Sequence, residues 1–219
     1  MNLRTKMTRH AVIAGMFGAT TALAVPQAMA SAAPAGAVVA ASPSPGKLGR
    51  LTDLVIERLL VSDDVAASKF GTDSPIEDPV REQQVLDQVR QQAGAVGVDP
   101  DAAVAFFRDQ ITASKVVQKG LFTRWTTHPD EAPTTRPDLA EIRQRLDRLT
   151  TELLDGLRST EHVRTKPVAC STQLTLATTS AATRQHLDAL HRRALTTATT
   201  SVCRPVVRTQ AAPAAVARR

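Results

Sequence analysis

Cationic side chains recur at helical spacing within otherwise apolar stretches of this 219-residue chain. Arg58 and Lys69 are eleven residues apart, about three helical turns, so they project from the same face of a helix. Further arginines in such positions, together with an amide and a hydroxyl, could build a buried pocket for a small dianion. The residues concerned are Arg58, Lys69, Arg81, Ser114, Gln118 and Arg143.

These residues contain no obvious nucleophile and no paired general acid and base. They could therefore act by electrostatic binding and by the shape of the pocket. HExxH, P-loop and GxGxxG motifs are absent from the sequence, and the histidines lack metal-ligand spacing, so we expect no metal and no cofactor. Taken singly, each residue could form an ordinary ion pair, as Arg81 could with Asp78. Taken together, the cations outnumber the nearby acids, and a buried unpaired cation is costly, which favours an anionic ligand.

The first 30 residues have the features of an export signal. Three basic residues precede an apolar stretch, residues 11–25, which is too short for a comfortable transmembrane span. Small residues then predict cleavage after Ala30; the alternative is an uncleaved anchor. Cleavage removes three of the 27 basic residues and none of the 21 acidic ones, so the net charge falls from +6 to +3.

The rest of the chain is predicted to be one domain of the all-α class, a single-domain helical bundle over residues 48–203. Residues 31–47 are rich in Ala, Pro, Ser and Gly and predict a flexible leader, and residues 204–219 predict a disordered basic tail. Between them we find no sustained period-two alternation and no hairpin signal, so we expect no strands. Apolar residues recur at helical spacing instead.

Capping signals mark the starts of the predicted helices. Asp78 and Asp99 each precede a proline, which suits the first helical position, and Asp138 has an acid at the third position after it. The first helix is expected to end at Gly71. The predicted helical segments lie at about 48–70, 78–94, 99–125, 138–157 and within 171–202, with a Pro- and Thr-rich linker at 126–137.

The two cysteines of the chain are Cys170 and Cys203. Because an exported protein meets an oxidising compartment, an even pair of cysteines predicts a disulfide. One straight helix between them would hold the two residues far apart. The pairing therefore requires a bend, or a break into two helices, within residues 171–202.

The segments that contain these residues resemble the all-α chorismate mutases, and in particular their exported subclass. The resemblance runs through ERLLVSDDVAASKF in the first helix, PIEDPVREQQVL in the second, DPDAAVAFFRDQITASKVVQKGLFTRW in the third and RPDLAEIRQRLDRL in the fourth. HLDALHRRALTTATTSVC near the end of the domain is similar to the exported subclass, including its disulfide. The resemblance covers nearly all of residues 48–203.

What the resemblance implies is a Claisen rearrangement of chorismate to prephenate, a unimolecular pericyclic step. Such a step needs no covalent catalysis, no proton transfer and no cofactor. The enzyme holds the dianionic substrate in its compact diaxial form, which restricts its rotational freedom. It also stabilises the negative charge that grows on the ether oxygen as the C–O bond breaks.

By match to the family's motifs, four residues are expected to act on the reacting part of the substrate. Arg58 and Arg143 would bind the two carboxylates. Lys69 and Gln118 would donate to the ether oxygen, and Lys69 would also touch a carboxylate. Some relatives have Glu in place of Gln118, and a glutamate donates only when protonated, whereas a glutamine donates at any pH. We therefore expect activity at neutral and mildly alkaline pH.

The same match assigns the remaining substrate-binding positions. Glu82 would accept from the substrate hydroxyl, Asp78 and Arg81 would shape that end of the pocket, and Ser114 would contact a carboxylate. The REQQ sequence after Val80 is more similar to intracellular members, and exported members have Thr in place of Ser114, which also provides a hydroxyl.

Intracellular relatives are often intertwined dimers that borrow an arginine from the partner chain. Arg143 could supply that arginine from the same chain, so a homodimer is compatible with the sequence but not required for activity. The resemblance implies an exported enzyme, in a periplasm or in the medium, with no membrane attachment after signal cleavage. An alternative is a non-catalytic exported helical protein that binds anions or partners on the same fold. A nucleic-acid or membrane-surface binder is disfavoured by the balanced mature charge.

Overall fold

A computed structural model of the protein describes residues 43–203, and within this range it is all helical, which confirms the predicted fold class. None of the described helices is long and apolar enough to cross a membrane. The predicted export signal, the tail and most of the predicted leader lie outside the described residues. The helices are α1 (Gly49–Lys69), α2 (Pro79–Ala95), α3 (Pro100–Thr127), α4 (Leu139–Arg164), α5 (Pro167–Arg184) and α6 (Ala189–Ala198), with a 3-10 turn at Pro129–Glu131.

The three predicted aspartate caps are present at the starts of α2, α3 and α4. The carboxylate of Asp78 accepts from the backbone N–H of Arg81, that of Asp99 accepts from two backbone N–H groups, and that of Asp138 accepts from one. Each cap satisfies N–H groups that have no partner inside the helix, and its negative charge complements the helix dipole. Local sequence therefore determines where these helices begin.

The fifth predicted segment is divided, as the disulfide requires. α5 starts at Pro167, four residues before the predicted segment, and α6 starts at Ala189. Between them His186 has a φ of 52°, in the left-handed region that often ends a helix. The break brings Cys170 and Cys203 into a disulfide with a Cα–Cα distance of 5.5 Å. Closing a loop of this length stabilises the fold by roughly 3–4 kcal/mol on the chain-entropy model.

α1 lies at the centre of the bundle, where it contacts α3, α4, α5 and α6. Its Ile56 is fully buried with Phe106 and Phe107 of α3 and Leu153 and Leu157 of α4. Burying each such side chain contributes about 1.5–3 kcal/mol relative to leaving it exposed. Arg58 and Lys69 are consequently carried on a helix that packs against four others.

The last residues of the predicted leader pack against the bundle. Ser44 is 4% exposed, and its backbone N–H and hydroxyl both donate to the Asp53 carboxylate of α1, at 2.7 and 2.5 Å. The backbone N–H of Lys47 donates to the side chain of Gln173 on α5 at 2.8 Å. Residues of the predicted leader close to its boundary at residue 48 are therefore in contact with α1 and α5.

His191 connects α6 to α1. Its Nε2 is 2.9 Å from the Asp63 carboxylate of α1, and its Nδ1 is 2.8 Å from the Asp188 carboxylate that caps α6. The hydrogen bond to Asp63 and then that to Asp188 raise the pKa of His191 to about 9, against the opposing effect of burial. The imidazolium is therefore the form present in the folded protein at neutral pH.

This pairing predicts a pH-dependent stability. An unfolded histidine titrates near pH 6.5, so the pairing contributes fully below about pH 6.5 and is lost as the pH rises through about 9. We expect the difference in unfolding free energy between the wild type and His191→Gln to narrow from about pH 6 to pH 9, as measured by denaturant titration. A difference that stays constant over this range would contradict the assignment.

Candidate functional site

A cavity of about 400 Å³ lies between α1, α2, α3 and α4. Its volume is in the range of sites for small organic ligands. The structure brings all eight sequence-predicted site residues to its wall. They are Arg58 and Lys69 from α1; Asp78, Arg81 and Glu82 from the start of α2; Ser114 and Gln118 from α3; and Arg143 from α4.

Arg58 is held deep in the cavity by neutral groups. Its Nη1 donates to the Leu146 carbonyl at 3.1 Å and to the Thr150 hydroxyl at 3.4 Å, and its guanidinium carbon lies 5.5 Å from the centre of the Phe107 ring. Burial lowers the pKa of Arg58 to about 10, partly offset by the charge of Asp147. The guanidinium is thus charged at neutral pH, and within residues 43–203 it forms no ion pair.

Lys69 lies in the last turn of α1, where the chain turns back over the cavity. Its Nζ donates to the Pro75 carbonyl at 2.8 Å. Burial lowers the pKa of Lys69, while the charges of Asp78 and Glu82 oppose that shift. The turn depends on Gly71, whose φ of 69° is unfavourable for a residue with a side chain. The bond to Pro75 uses one of the three ammonium hydrogens of Lys69, and the other two remain for a ligand.

Gln118 belongs to a small hydrogen-bonded cluster. Its Nε2 donates to the Ser114 hydroxyl at 3.0 Å, and the hydroxyl of Ser62 on α1 also donates to Ser114, at 2.9 Å. Gln118 is 4% exposed, and its Oε1 has no hydrogen-bond partner within the described residues. Because Ser114 Oγ accepts from both neighbours, its own hydrogen is left to donate elsewhere. Sequence reasoning missed Ser62, although it follows Arg58 by one helical turn.

A lysine that sequence reasoning also missed holds the acidic side of the cavity. Nζ of Lys115 lies 3.1 and 3.0 Å from the two carboxylate oxygens of Glu82 and 2.8 Å from the carboxylate of Glu77. These bonds raise the pKa of Lys115, and those from Lys115 and then Lys119 lower the pKa of Glu77 to about 2. The signal in the sequence was a cation adjacent to Ser114, with two acids near the start of the preceding helix.

The two remaining arginines lie toward the solvent. Arg143 is exposed, and among the described residues it has no hydrogen-bond or ion-pair partner. The guanidinium of Arg81 donates to Gln84 at 3.4 Å, so the ion pair with Asp78 that the sequence suggested is replaced by the backbone cap. Both side chains are therefore available to a ligand that enters the cavity.

The charges on the wall favour a dianion. Within residues 43–203, no histidine or cysteine lines the cavity, and no cluster of side chains could hold a metal ion. The arrangement therefore offers electrostatic binding and hydrogen bonding rather than nucleophilic or metal chemistry. The lining cations are Arg58, Lys69, Arg81, Lys115 and Arg143, and the lining carboxylates are Asp78, Glu82 and Asp147, which leaves a net charge of +2.

Comparison with known proteins gives a consistent result. A family model described as chorismate mutase type II matches residues 49–119. The secreted chorismate mutase of Mycobacterium tuberculosis is 36% identical over 183 residues, 84% of this chain and 92% of that protein. That of Mycolicibacterium smegmatis is 37% identical over 177 residues, 81% of this chain and 97% of that protein. The crystal structure of a chorismate mutase from Burkholderia phymatum has a TM-score of 0.69 and 33% identity, covering 73% and 97% of the two chains.

Proposed function

The chain belongs to the chorismate mutase family and is an isomerase that converts chorismate to prephenate, and on this premise we propose that the cavity between α1, α2, α3 and α4 is its active site. One observation supports this site most strongly. All eight family-motif positions line the same cavity, whose lining residues have a net charge of +2. The alternative of a non-catalytic anion-binding protein has no support from the relatives.

Arg58 and Arg143 bind the two carboxylates of the substrate in this proposal. Arg58 is fixed from behind by Leu146 and Thr150, so its free N–H groups point to one defined position. Arg143 stands on a different helix and can adjust to the second carboxylate. Binding both carboxylates at once, by cations on two separate helices, selects the compact diaxial conformer from the extended ones. Much of the loss of conformational freedom that the reaction requires therefore occurs when the substrate binds.

Lys69 and Gln118 donate to the ether oxygen. Lys69 has two N–H groups left after its bond to Pro75, and Gln118 has one left after its bond to Ser114. Negative charge grows on the ether oxygen as the C–O bond breaks and the new C–C bond forms. Donors that are already oriented toward that oxygen stabilise the transition state more than the ground state. The step involves no proton transfer, which is consistent with a cavity wall that contains no histidine among its described residues.

The opposite side of the substrate is held by polar contacts. Glu82 accepts from the substrate hydroxyl, and Asp78 and Arg81 shape that end of the cavity. Ser114 donates its remaining hydrogen to a carboxylate, since its oxygen already accepts from Ser62 and Gln118.

All of these residues come from one chain, so we propose that activity does not require a second subunit, while a homodimer with a complete site in each chain remains compatible. The proposed organisation is an export signal at residues 1–30, a leader, a catalytic domain over 48–203 and a basic tail at 204–219. The names of the mycobacterial relatives support export. The final compartment is a periplasm or the medium.

Lys69 is expected to be indispensable for turnover. Removing one preorganised donor to a developing oxyanion typically costs about 100- to 1,000-fold in kcat. We expect at least that loss for Lys69→Ala, measured as the disappearance of chorismate's ultraviolet absorbance with protein that starts at Ser31. Lys166→Ala, an exposed site outside the cavity, is the matched control. Near-normal turnover by a folded Lys69→Ala protein would rule out this role.

Gln118 is expected to make turnover insensitive to pH near neutrality. An amide donates at any pH, whereas an ionised carboxylate only accepts. We expect the kcat of the wild type to stay level between about pH 5 and pH 8. Position 118 is buried, and burial raises the pKa of a carboxyl, so the kcat of Gln118→Glu should fall over the same range as that carboxyl ionises. A sharp fall of kcat in the wild type over this range, with circular dichroism unchanged, would be incompatible with the assignment.

A further inference from the structure

Lys115 is the lining cation to which the family match gives no role. Only 21% of its side chain is exposed, and 26% of the Glu82 side chain. Its Nζ contacts both oxygens of Glu82, at 3.1 and 3.0 Å, so the contact fixes the rotation of that carboxylate as well as its position. A carboxylate held in this way presents its remaining lone pairs in one direction.

The neighbouring Lys119 forms an ordinary exposed ion pair and serves as a comparison for Lys115. Its side chain is 59% exposed, its ion pair is with Glu77, and it does not line the cavity. Exposed pairs of this kind contribute little to stability because water and salt screen them. Lys115 differs from Lys119 in its burial, in its contact with Glu82 and in its place on the cavity wall.

Glu82 needs such a partner for an electrostatic reason. A carboxylate on the wall of a cavity that takes a dianion repels the ligand unless a cation neutralises it. Glu82 also attracts Lys69, as its effect on the pKa of Lys69 shows. By engaging Glu82 from the α3 side, Lys115 leaves the ammonium of Lys69 for the substrate. Without Lys115 the net charge of the wall would fall to +1.

We propose that Lys115 is a positioning residue, which orients and neutralises Glu82 so that Glu82 can accept the substrate hydroxyl. The inference rests on the role proposed above for Glu82. Lys115 acts through that carboxylate and does not itself contact the substrate. It therefore contributes to the recognition of the hydroxyl rather than to the breaking of the C–O bond.

The test compares Lys115→Met with Lys119→Met in steady-state kinetics with chorismate. We expect Lys115→Met to lower kcat/KM by about 10- to 100-fold, the range for loss of a charged hydrogen bond. The loss should appear mainly as a higher KM, because the hydroxyl contact exists in both the bound substrate and the transition state. Lys119→Met should match the wild type, and Lys115→Arg should recover most of the loss. Lys115→Met kinetics equal to those of Lys119→Met would overturn the proposal.

Two further variants separate positioning from stability and from direct binding. Glu77→Gln removes the other ion pair of Lys115 and should leave kcat/KM near that of the wild type. A loss equal to that of Lys115→Met would instead mean that Lys115 acts by anchoring the segment that contains Glu77.

In a Glu82→Gln background, Lys115→Met should add at most about a twofold loss, since the effects of coupled residues are not additive. The same loss in both backgrounds would show direct contact with the substrate and overturn the proposal. An unimpaired Glu82→Gln single variant would instead refute the role of Glu82 itself.

Discussion

A charged guanidinium on the cavity wall, with no ion-pair partner among residues 43–203, is the feature on which the proposed site depends. Arg58 donates to a carbonyl and a hydroxyl and lies near an aromatic ring, and these contacts hold the cation without neutralising it. Keeping it desolvated costs free energy, as its lowered pKa indicates. In the proposed site, binding of a substrate carboxylate by Arg58 would recover that cost. The protein is therefore complementary to an anion before the anion arrives, which is the condition for electrostatic catalysis.

The scaffold packs around α1, which carries Arg58 and Lys69. α1 is enclosed by four helices, and the C-terminal part of the chain is attached through the disulfide and through His191. A third attachment joins α3 to α6, where the amide of the buried Gln110 donates to the Ala198 carbonyl. Close approach of α3 and α6 occurs at Gly120, where a Cβ would lie 2.6 Å from the Leu190 side chain. A rigid frame of this kind preserves the distances between charges that a unimolecular rearrangement depends on.

Features determined by local sequence could be predicted, and features determined by tertiary contacts could not. The aspartate caps and the helical spacing of Arg58 and Lys69 depend on residues that are close in the sequence. The starts of the helices and the shared face of these two residues could therefore be predicted. The packing of Ser44 on Asp53 depends on α1, and composition alone suggested a leader there. The role proposed for Lys115 depends on its contact with Glu82, 33 residues away in the chain. The sequence contained a cation next to Ser114 and acids near the preceding helix, but nothing local showed that they meet.

The measurement that tests the active site most directly is a crystal structure of the mature protein with a dicarboxylate analogue of the transition state. We expect one carboxylate on Arg58, the other on Arg143 and the ether oxygen within hydrogen-bond distance of Lys69 and Gln118, all from the same chain. An analogue bound elsewhere, or a second carboxylate held by an arginine of another subunit, would contradict a site that is complete within one chain.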